Sequence, residues 1–185
     1  MSQAIYSLDF SILDAIQESL RTVWLDTVVP YLTMLGDAGL IWILLTVILL
    51  CIPGKRKIGL TMAAGLVVDL ILCNGLLKPL VARIRPYDLH PGITLLIKAP
   101  TDYSFPSGHT SASFTAVFAL VFRKDRLWIP ALVLALVIAF TRLYLYVHYP
   151  SDVFCGILVG LLSGWLGWKI TRRWADPLLD RTKKQ

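Results

Sequence analysis

Five long apolar stretches constrain this 185-residue chain more than any other feature of its sequence. A helix needs about 20 apolar residues to cross the hydrocarbon core of a bilayer. The five stretches are residues 35–52 (uninterrupted from Ala38), 58–77, 108–122, 127–146 and 153–170. The sequence therefore predicts an all-α, polytopic membrane bundle of about five transmembrane helices within a domain over residues 35–171.

The composition excludes other classes of protein. Hydrophobic residues make up 56% of the chain and charged residues 16%, whereas a soluble domain is about 45–50% apolar and about 25% charged. Disorder is excluded because it requires low hydrophobicity. A disulfide-stabilised domain is excluded because Cys51, Cys73 and Cys155 are few, odd in number and placed in apolar runs.

Residues 1–34 have a different pattern. Apolar residues recur there at steps of three and four, with charged and amide side chains between them. They are Ile5, Leu8, Ile12, Ile16 and Leu20. This pattern over residues 5–33 predicts an amphipathic helix that lies in the membrane interface and is too charged to span. The alternative, a helix packed on a soluble domain, is weak because no soluble domain follows.

The formal net charge of +6 comes from 18 Lys and Arg against 12 Asp and Glu. Most of the cations lie at residues 55–57, at 123–126 and from 169 onward. With five spans these three places share one side of the membrane, and the positive-inside rule makes that side cytoplasmic. The charge therefore indicates a multi-pass protein of the cell membrane with a basic cytoplasmic tail over residues 172–185, and no nucleic-acid partner.

Several ionisable residues at the outer ends of the spans are not explained by orientation. An ionisable group at membrane depth costs about 2.5–3.5 kcal/mol on insertion scales and usually marks a site. The residues are Lys78, Arg85, His109, Arg142, His148 and Asp152. They come from four spans and are predicted to converge on the outer membrane face.

Phosphate suits three fixed cations, because it is an anion of high charge density. The turn 106–109, Pro-Ser-Gly-His, precedes a predicted helix, whose free backbone N–H groups can bind an anion. Two histidines at a phosphate suggest that one imidazole attacks phosphorus while the other protonates the leaving oxygen. Asp152 could hold the second ring nitrogen of His148 across a turn, because Pro150 separates them, and Ser151 is expected to cap the fifth helix.

Two other interpretations of these residues are weaker. A metal site does not fit, because the two histidines lack the spacing of a helical zinc pair and three cations would repel a divalent ion. Either histidine alone could be an interfacial residue satisfied by the backbone, but this does not explain the whole set. We therefore expect no metal and no cofactor.

The order and spacing of these residues resemble a known family. Lys78 is followed after six residues by Arg85-Pro86, then by residues 106–109, and then by Arg142, His148 and Asp152. This three-part pattern is similar to the signature of the type-2 phosphatidic acid phosphatase superfamily, which includes membrane lipid phosphatases, bacterial acid phosphatases and vanadium haloperoxidases. One position departs: Thr141 stands where many members carry serine, and it keeps a hydroxyl.

The resemblance implies a role for each matching residue. His148 would be the nucleophile that forms a phosphohistidine, Asp152 would orient it, and His109 would be the general acid. The phosphoryl oxygens would be bound by Lys78, Arg85, Ser107, Gly108 and Arg142. These cations would supply the charge stabilisation that a metal gives elsewhere.

The leading hypothesis is a membrane lipid phosphatase whose substrate enters sideways from the outer leaflet. Undecaprenyl pyrophosphate is the first choice, with phosphatidylglycerophosphate, phosphatidic acid and lipid A phosphates as alternatives. An anion channel or transporter would not need two histidines with an aspartate, and a haloperoxidase would be soluble. The predicted partners are the lipid phosphate and the bilayer, and the chain is expected to be a monomer or weak homodimer.

Two further features allow two interpretations each. Asp69, in the middle of the second apolar stretch, could line a channel but is expected to bond to a neighbouring helix. Gly156, Gly160 and Gly164 form a stripe of small residues on the fifth helix. Packing within the chain is the default for such a stripe, and a homodimer face is the alternative.

Overall fold

The computed structural model describes residues 3–90 and 92–182, which form helices and turns without a strand, so the all-helical prediction is confirmed for them. The helices are α1 Gln3–Leu20, α2 Val23–Met34, α3 Leu40–Cys51, α4 Arg56–Asp69, α5 Lys78–Val81, α6 Pro86–Leu89, α7 Gly108–Phe122, α8 Trp128–Tyr144, α9 Pro150–Trp174 and α10 Asp176–Thr182. A π-helical segment, Leu70–Leu77, continues α4 into α5.

The N-terminal region differs from the single helix predicted over residues 5–33. The chain breaks at Thr22, whose hydroxyl accepts the backbone N–H of Leu25 at 3.2 Å and begins α2. A second break follows at Asp37–Gly39, where Gly39 has a left-handed φ of +68°. The first predicted span therefore does not begin at Leu35 as a straight helix, because α3 starts only at Leu40.

The helices vary in how well they suit a bilayer. By length and apolar composition, Pro53–Leu89 and Pro150–Trp174 are long enough to cross a membrane. The pair Val23–Met34 and Asp37–Cys51, bent by 42°, would be a third span if it counts as one, and α7 and α8 are apolar but shorter. The count of five spans stays a prediction.

Helix α9 packs against both α4 and α7 at the centre of the bundle. Its predicted small-residue stripe makes this contact: a Cβ on Gly156 would lie 2.9 Å from the carbonyl oxygen of Ser107, and one on Gly160 would lie 2.7 Å from that of Ser111. The stripe is therefore used for packing within the chain.

Apolar side chains occupy both the inside and the outside of the bundle. Trp42, Met62 and Ile138 are buried in the core, whereas Val67 and Phe154 are 58% and 60% exposed. Large apolar side chains on an outer surface are typical of contact with lipid or a partner. This distribution is that of a membrane protein.

The three basic places lie at one end of the bundle. Lys55, before α4, pairs with Asp125, before α8. Arg123, after α7, pairs with Asp176, after α9, at 2.7 Å. Lys183 and Lys184 of the predicted tail lie outside the described residues. Since α7 starts at Gly108 and ends at Phe122, its first turn lies at the end opposite these loops.

Candidate active site

His148 lies in the tight turn that joins α8 to α9. The turn is closed by the backbone N–H of Val147, which donates to the carbonyl of Arg142 at 3.2 Å, and Tyr146 adopts a left-handed φ of +57°. His148 is buried, with 1% of its surface exposed. Burial, reinforced by the charges of Arg85 and Arg142, lowers the pKa of His148 well below its usual value. The ring is therefore neutral at pH 7, as a nucleophilic imidazole must be.

Asp152 lies near one of the two ring nitrogens of His148. His148 Nδ1 lies 3.6 Å from Asp152 Oδ2. This is too long for a hydrogen bond, and contacts of this kind often tighten only when substrate binds. The other ring nitrogen, Nε2, lies 3.3 Å from Nη1 of Arg85. The structure thus brings the predicted pair together, with Nε2 of His148 directed toward Arg85.

Several donors fix the Asp152 carboxylate. It accepts the backbone N–H of Tyr149 at 3.0 Å, the hydroxyl of Ser104, and Nη1 of Arg83 at 2.5 Å. Pro150 occupies the first turn of α9, where a backbone N–H has no partner within the helix, so the missing N–H of proline costs nothing. The cap of α9 is Tyr149, so the expectation that Ser151 caps this helix is wrong.

Most of the predicted site residues line a cavity of about 420 Å³, which we call the cationic pocket. The predicted residues on its wall are Lys78, Arg85, Gly108, His109, Arg142 and His148. The remaining two lie behind this wall. Asp152 stands behind His148, and Ser107 is buried at the start of α7, where its hydroxyl accepts from that of Thr110 at 2.9 Å.

Three of the four cations on this wall, all but Lys98, are held by groups that sequence reasoning did not identify. Asp102 bridges Lys78 and Arg85, with its Oδ1 2.6 Å from Nη2 of Arg85. Burial opposes the charge of Asp102, but the hydrogen bond from Lys78 and the charges of Lys78 and Arg85 prevail and lower its pKa to about 2. Arg142 donates to the hydroxyl of Thr33 on α2. The three cations are thus fixed before any substrate arrives.

His109 has a carboxylate partner that the sequence did not suggest. Its Nε2 lies 2.8 Å from Oδ1 of Asp37, in the break between α2 and α3. A Cβ on Gly36 would approach His109 Cδ2 to 2.7 Å, so the close fit of this break against the ring requires glycine. Residues 36–39 therefore orient His109 as well as connecting α2 to α3.

A second cavity, of about 560 Å³, adjoins the first and is largely apolar. We call it the apolar cleft. Its wall includes Ile43 on α3 together with Leu66 and Val67 on α4. The two cavities share the wall residues Lys78, Asp102, Gly108 and His109. His109 therefore stands at the boundary between a cationic pocket and an apolar cleft.

Asp69 lies on the wall of the apolar cleft. Its Oδ2 accepts the hydroxyl of Ser111 on α7 at 3.2 Å. The expected bond to a neighbouring helix is therefore present.

The structure adds Asp37, Arg83 and Asp102 to the predicted set, together with Asp9 on α1, whose carboxylate accepts Nη2 of Arg83 at 2.7 Å. Arg83 was recognisable in the sequence only as one of the outer cations, and nothing in the spacing assigned it a partner. The described residues contain no group of three or more His, Cys, Asp or Glu side chains placed to hold a metal ion.

Comparison with known proteins bears on this arrangement. The family model described as the PAP2 superfamily matches residues 54–176. An undecaprenyl-diphosphatase of Sulfolobus acidocaldarius is 35% identical over 121 residues, which are 65% of this chain and 58% of that protein. A lipid A 4'-phosphatase of Bacteroides thetaiotaomicron is 36% identical over 118 residues, 60% of this chain and 52% of that protein. The alignments thus span little more than half the length of these two relatives.

The crystal structure of Aquifex aeolicus LpxE superposes on 91% of this chain and 99% of its own, with a TM-score of 0.79 and 26% identity. The fold, the family model and the residues gathered around the cationic pocket agree with the resemblance noted in the sequence, and the chain belongs to the PAP2 superfamily.

Proposed function

We propose that this protein is an integral membrane lipid phosphatase that transfers a terminal phosphoryl group to His148 and then to water. One observation carries the proposal: a pocket with three fixed cations and two histidines shares His109 with the wall of an adjoining apolar cleft. A phosphate fits the first space and a lipid chain the second. The bond to be broken would then lie beside His109.

In the first step, the Nε2 lone pair of His148 attacks phosphorus. The bond from phosphorus to the leaving oxygen breaks, and His109 gives that oxygen a proton. Asp152 stabilises the positive charge that forms on the His148 ring. In the second step, water attacks phosphorus, the P–N bond breaks, and His109 takes the proton of the water.

The phosphoryl oxygens are stabilised by Lys78, Arg85 and Arg142 and by the backbone at the start of α7. Charge that develops on these oxygens meets donors that are already in place, and such preorganisation is usually the largest catalytic contribution. Activity is therefore expected to persist in excess EDTA. Vanadate, which mimics a five-coordinate phosphoryl centre, is expected to inhibit.

Undecaprenyl pyrophosphate is the substrate that we place first. The apolar cleft between α3 and α4 offers an apolar surface to a lipid chain, and one relative is named for this substrate. The other relative is named for lipid A. Phosphatidylglycerophosphate, phosphatidic acid and lipid A phosphates are the alternatives.

Phosphate release by the purified full-length protein in detergent tests the activity and the substrate together. The panel is undecaprenyl pyrophosphate, phosphatidylglycerophosphate, phosphatidic acid and a lipid A phosphate, each with and without EDTA, and with His148→Ala as the control. We expect release from the prenyl substrate above the others, none from the control and no effect of EDTA. No release from any lipid would instead favour a non-catalytic anion channel.

The site is proposed to face the outside of the cell membrane, because the basic loops lie at the opposite end of the bundle. Single cysteines in place of Lys124 and of His90 test this in sealed cells. The background carries Cys51→Ser, because Cys51 is the exposed native cysteine among the described residues. The two positions should label from opposite sides, and labelling from the same side would contradict the topology.

A further inference from the structure

A buried ion network connects the N-terminal helix to the candidate nucleophile. The guanidinium of Arg83 lies between two carboxylates, 2.5 Å from Asp152 and 2.7 Å from Asp9 on α1. Arg83 and Asp9 are each 3% exposed, and Asp152 is fully buried. Burying three charges is costly unless each is paired with well-placed partners. Here each of the three charges has at least one oppositely charged partner.

Two aromatic rings enclose Arg83. Its guanidinium carbon lies 3.6 Å from the ring centre of Tyr149, which precedes α9, and 4.7 Å from that of Tyr6 on α1. Arg83 is absent from the wall of the cationic pocket, unlike Arg85 two residues later. Its contacts are therefore with the protein and not with a phosphate in that pocket.

Asp9 also holds the first turn of α9 directly. It accepts the backbone N–H of Ser151 at 2.9 Å and the Ser151 hydroxyl at 2.6 Å. Asp152 is the next residue along this turn. One carboxylate of α1 thus fixes Asp152 in two ways, through Arg83 and through the backbone beside it.

The charges of the network suit phosphoryl transfer to His148. With the ring neutral, Asp9, Arg83 and Asp152 together carry one net negative charge. When His148 bonds to phosphorus its ring becomes positive, and the group becomes neutral. Without Asp9, Arg83 would balance Asp152 before the reaction, and the pull of Asp152 on the positive ring would weaken.

We propose that α1 is part of the catalytic machinery, with Asp9 acting through Arg83 as a positioning residue for Asp152 and His148. The sequence predicts only an interfacial helix here. The inference rests on the proposed function, because it takes His148 to be the nucleophile. It predicts that loss of the Asp9 charge slows the reaction of bound substrate and leaves phosphate binding intact.

Asp9→Asn and Asp14→Asn form a matched pair in the full-length protein. Both aspartates are on α1, and Asp14 accepts the Tyr146 hydroxyl at 2.6 Å but does not contact Arg83. The measurements are kcat on nitrophenyl phosphate and the inhibition constant of inorganic phosphate. We expect Asp9→Asn to lower kcat at least about tenfold, since small misplacements of reacting groups can cost about 100-fold. The phosphate constant should change less than about twofold, and Asp14→Asn should keep both values.

Asp9→Glu keeps the charge and should recover part of kcat, which a purely structural role of Asp9 would not require. If Asp9→Asn does not purify as a monodisperse species, Asp9→Glu and Arg83→Lys replace it in the test. Both should change kcat by a larger factor than they change the inhibition constant of inorganic phosphate. Equal kcat in Asp9→Asn and Asp14→Asn, or a parallel loss of phosphate binding, would overturn the inference while wild-type turnover stands. Turnover by His148→Ala would instead overturn the proposed function.

Discussion

The two histidines of the site are held in different ways. His148 is buried and paired with a carboxylate four residues away, which Arg83, Ser104 and a backbone N–H hold in place. His109 is paired with Asp37, 72 residues earlier, on a non-helical break, and the Asp37 side chain is 54% exposed. His148, as the proposed nucleophile, would meet the same phosphorus every time and profit from rigidity. His109, as the proposed general acid beside the apolar cleft, would have to reach leaving groups of different shape.

Removal of His148 should have the largest effect of all. His148→Ala takes away the group that bonds to phosphorus, so turnover should fall by at least about 10⁴-fold with every substrate. Phosphate release from a lipid monophosphate, a lipid pyrophosphate and nitrophenyl phosphate measures this loss. Loss with only one class of substrate would mean that His148 is not the common nucleophile.

Removal of His109 should have an effect that depends on the leaving group. An alkoxide that leaves from a lipid monophosphate needs a proton, whereas a phosphate or a nitrophenolate is less basic and needs it less. His109→Ala should therefore lose about 10²–10⁴-fold on the monophosphate and much less on nitrophenyl phosphate. The same panel of substrates measures it. An equal loss on all of them would contradict the assignment of His109 as the acid.

Neutralising Asp37 should show the same dependence on the leaving group as His109→Ala, with a smaller loss of activity. Asp37→Asn keeps the shape of the break but removes the negative charge beside His109, so the protonated ring is less stabilised. We expect a loss of about tenfold on the monophosphate and little on nitrophenyl phosphate. Asp37→Glu serves as the charged control. A uniform loss across leaving groups would assign Asp37 a structural role.

The neutral state of His148 should appear in the pH dependence of stability, as the smallest effect. An unfolded histidine binds a proton below about pH 6.5, whereas burial keeps the pKa of folded His148 well below that value. The unfolded state thus binds more protons, and stability falls as the pH drops below 6.5. One such group contributes at most about 1.4 kcal/mol per pH unit, or about 3–6 °C in the melting temperature of a protein of this size.

Thermal denaturation in detergent at pH 7 and pH 5.5 measures this slope. His148→Gln cannot bind the proton, so its melting temperature should fall less over the same interval. A slope that is the same in both proteins would show that His148 is not held neutral in the folded state.

The sequence predicted the residues that the structure gathers at the candidate site better than it predicted the residues that hold them in place. Residues 108–122 were predicted as a span and form α7 with the same bounds, because a strong apolar run and a helix-starting Ser107 coincide there. The motif also identified His148 and Asp152 as a pair, and the structure places them close together. By contrast, nothing local links Asp37 to His109 or Asp9 to Arg83, since these pairs are 72 and 74 residues apart. Pairs of this kind depend on how the helices pack.

The breaks in the helices were missed for a related reason. Thr22 and Gly39 interrupt stretches whose apolar pattern continues on both sides, so the pattern alone did not reveal them. The π-helical segment Leu70–Leu77 lies within an apolar run that reads as ordinary helix. Gly39 and the π-helical segment both contribute to the wall of the apolar cleft, where packing decides the backbone.

The proposed mechanism depends most on which histidine receives the phosphoryl group. Radiolabelled nitrophenyl phosphate, a rapid quench in alkaline denaturant and peptide mapping locate the label in the wild type, His109→Ala and His148→Ala. The proposed mechanism predicts label on His148 in the first two proteins, with slower clearance in His109→Ala because water then lacks its base, and no label in the third. Label on His109, or turnover by His148→Ala, would contradict it.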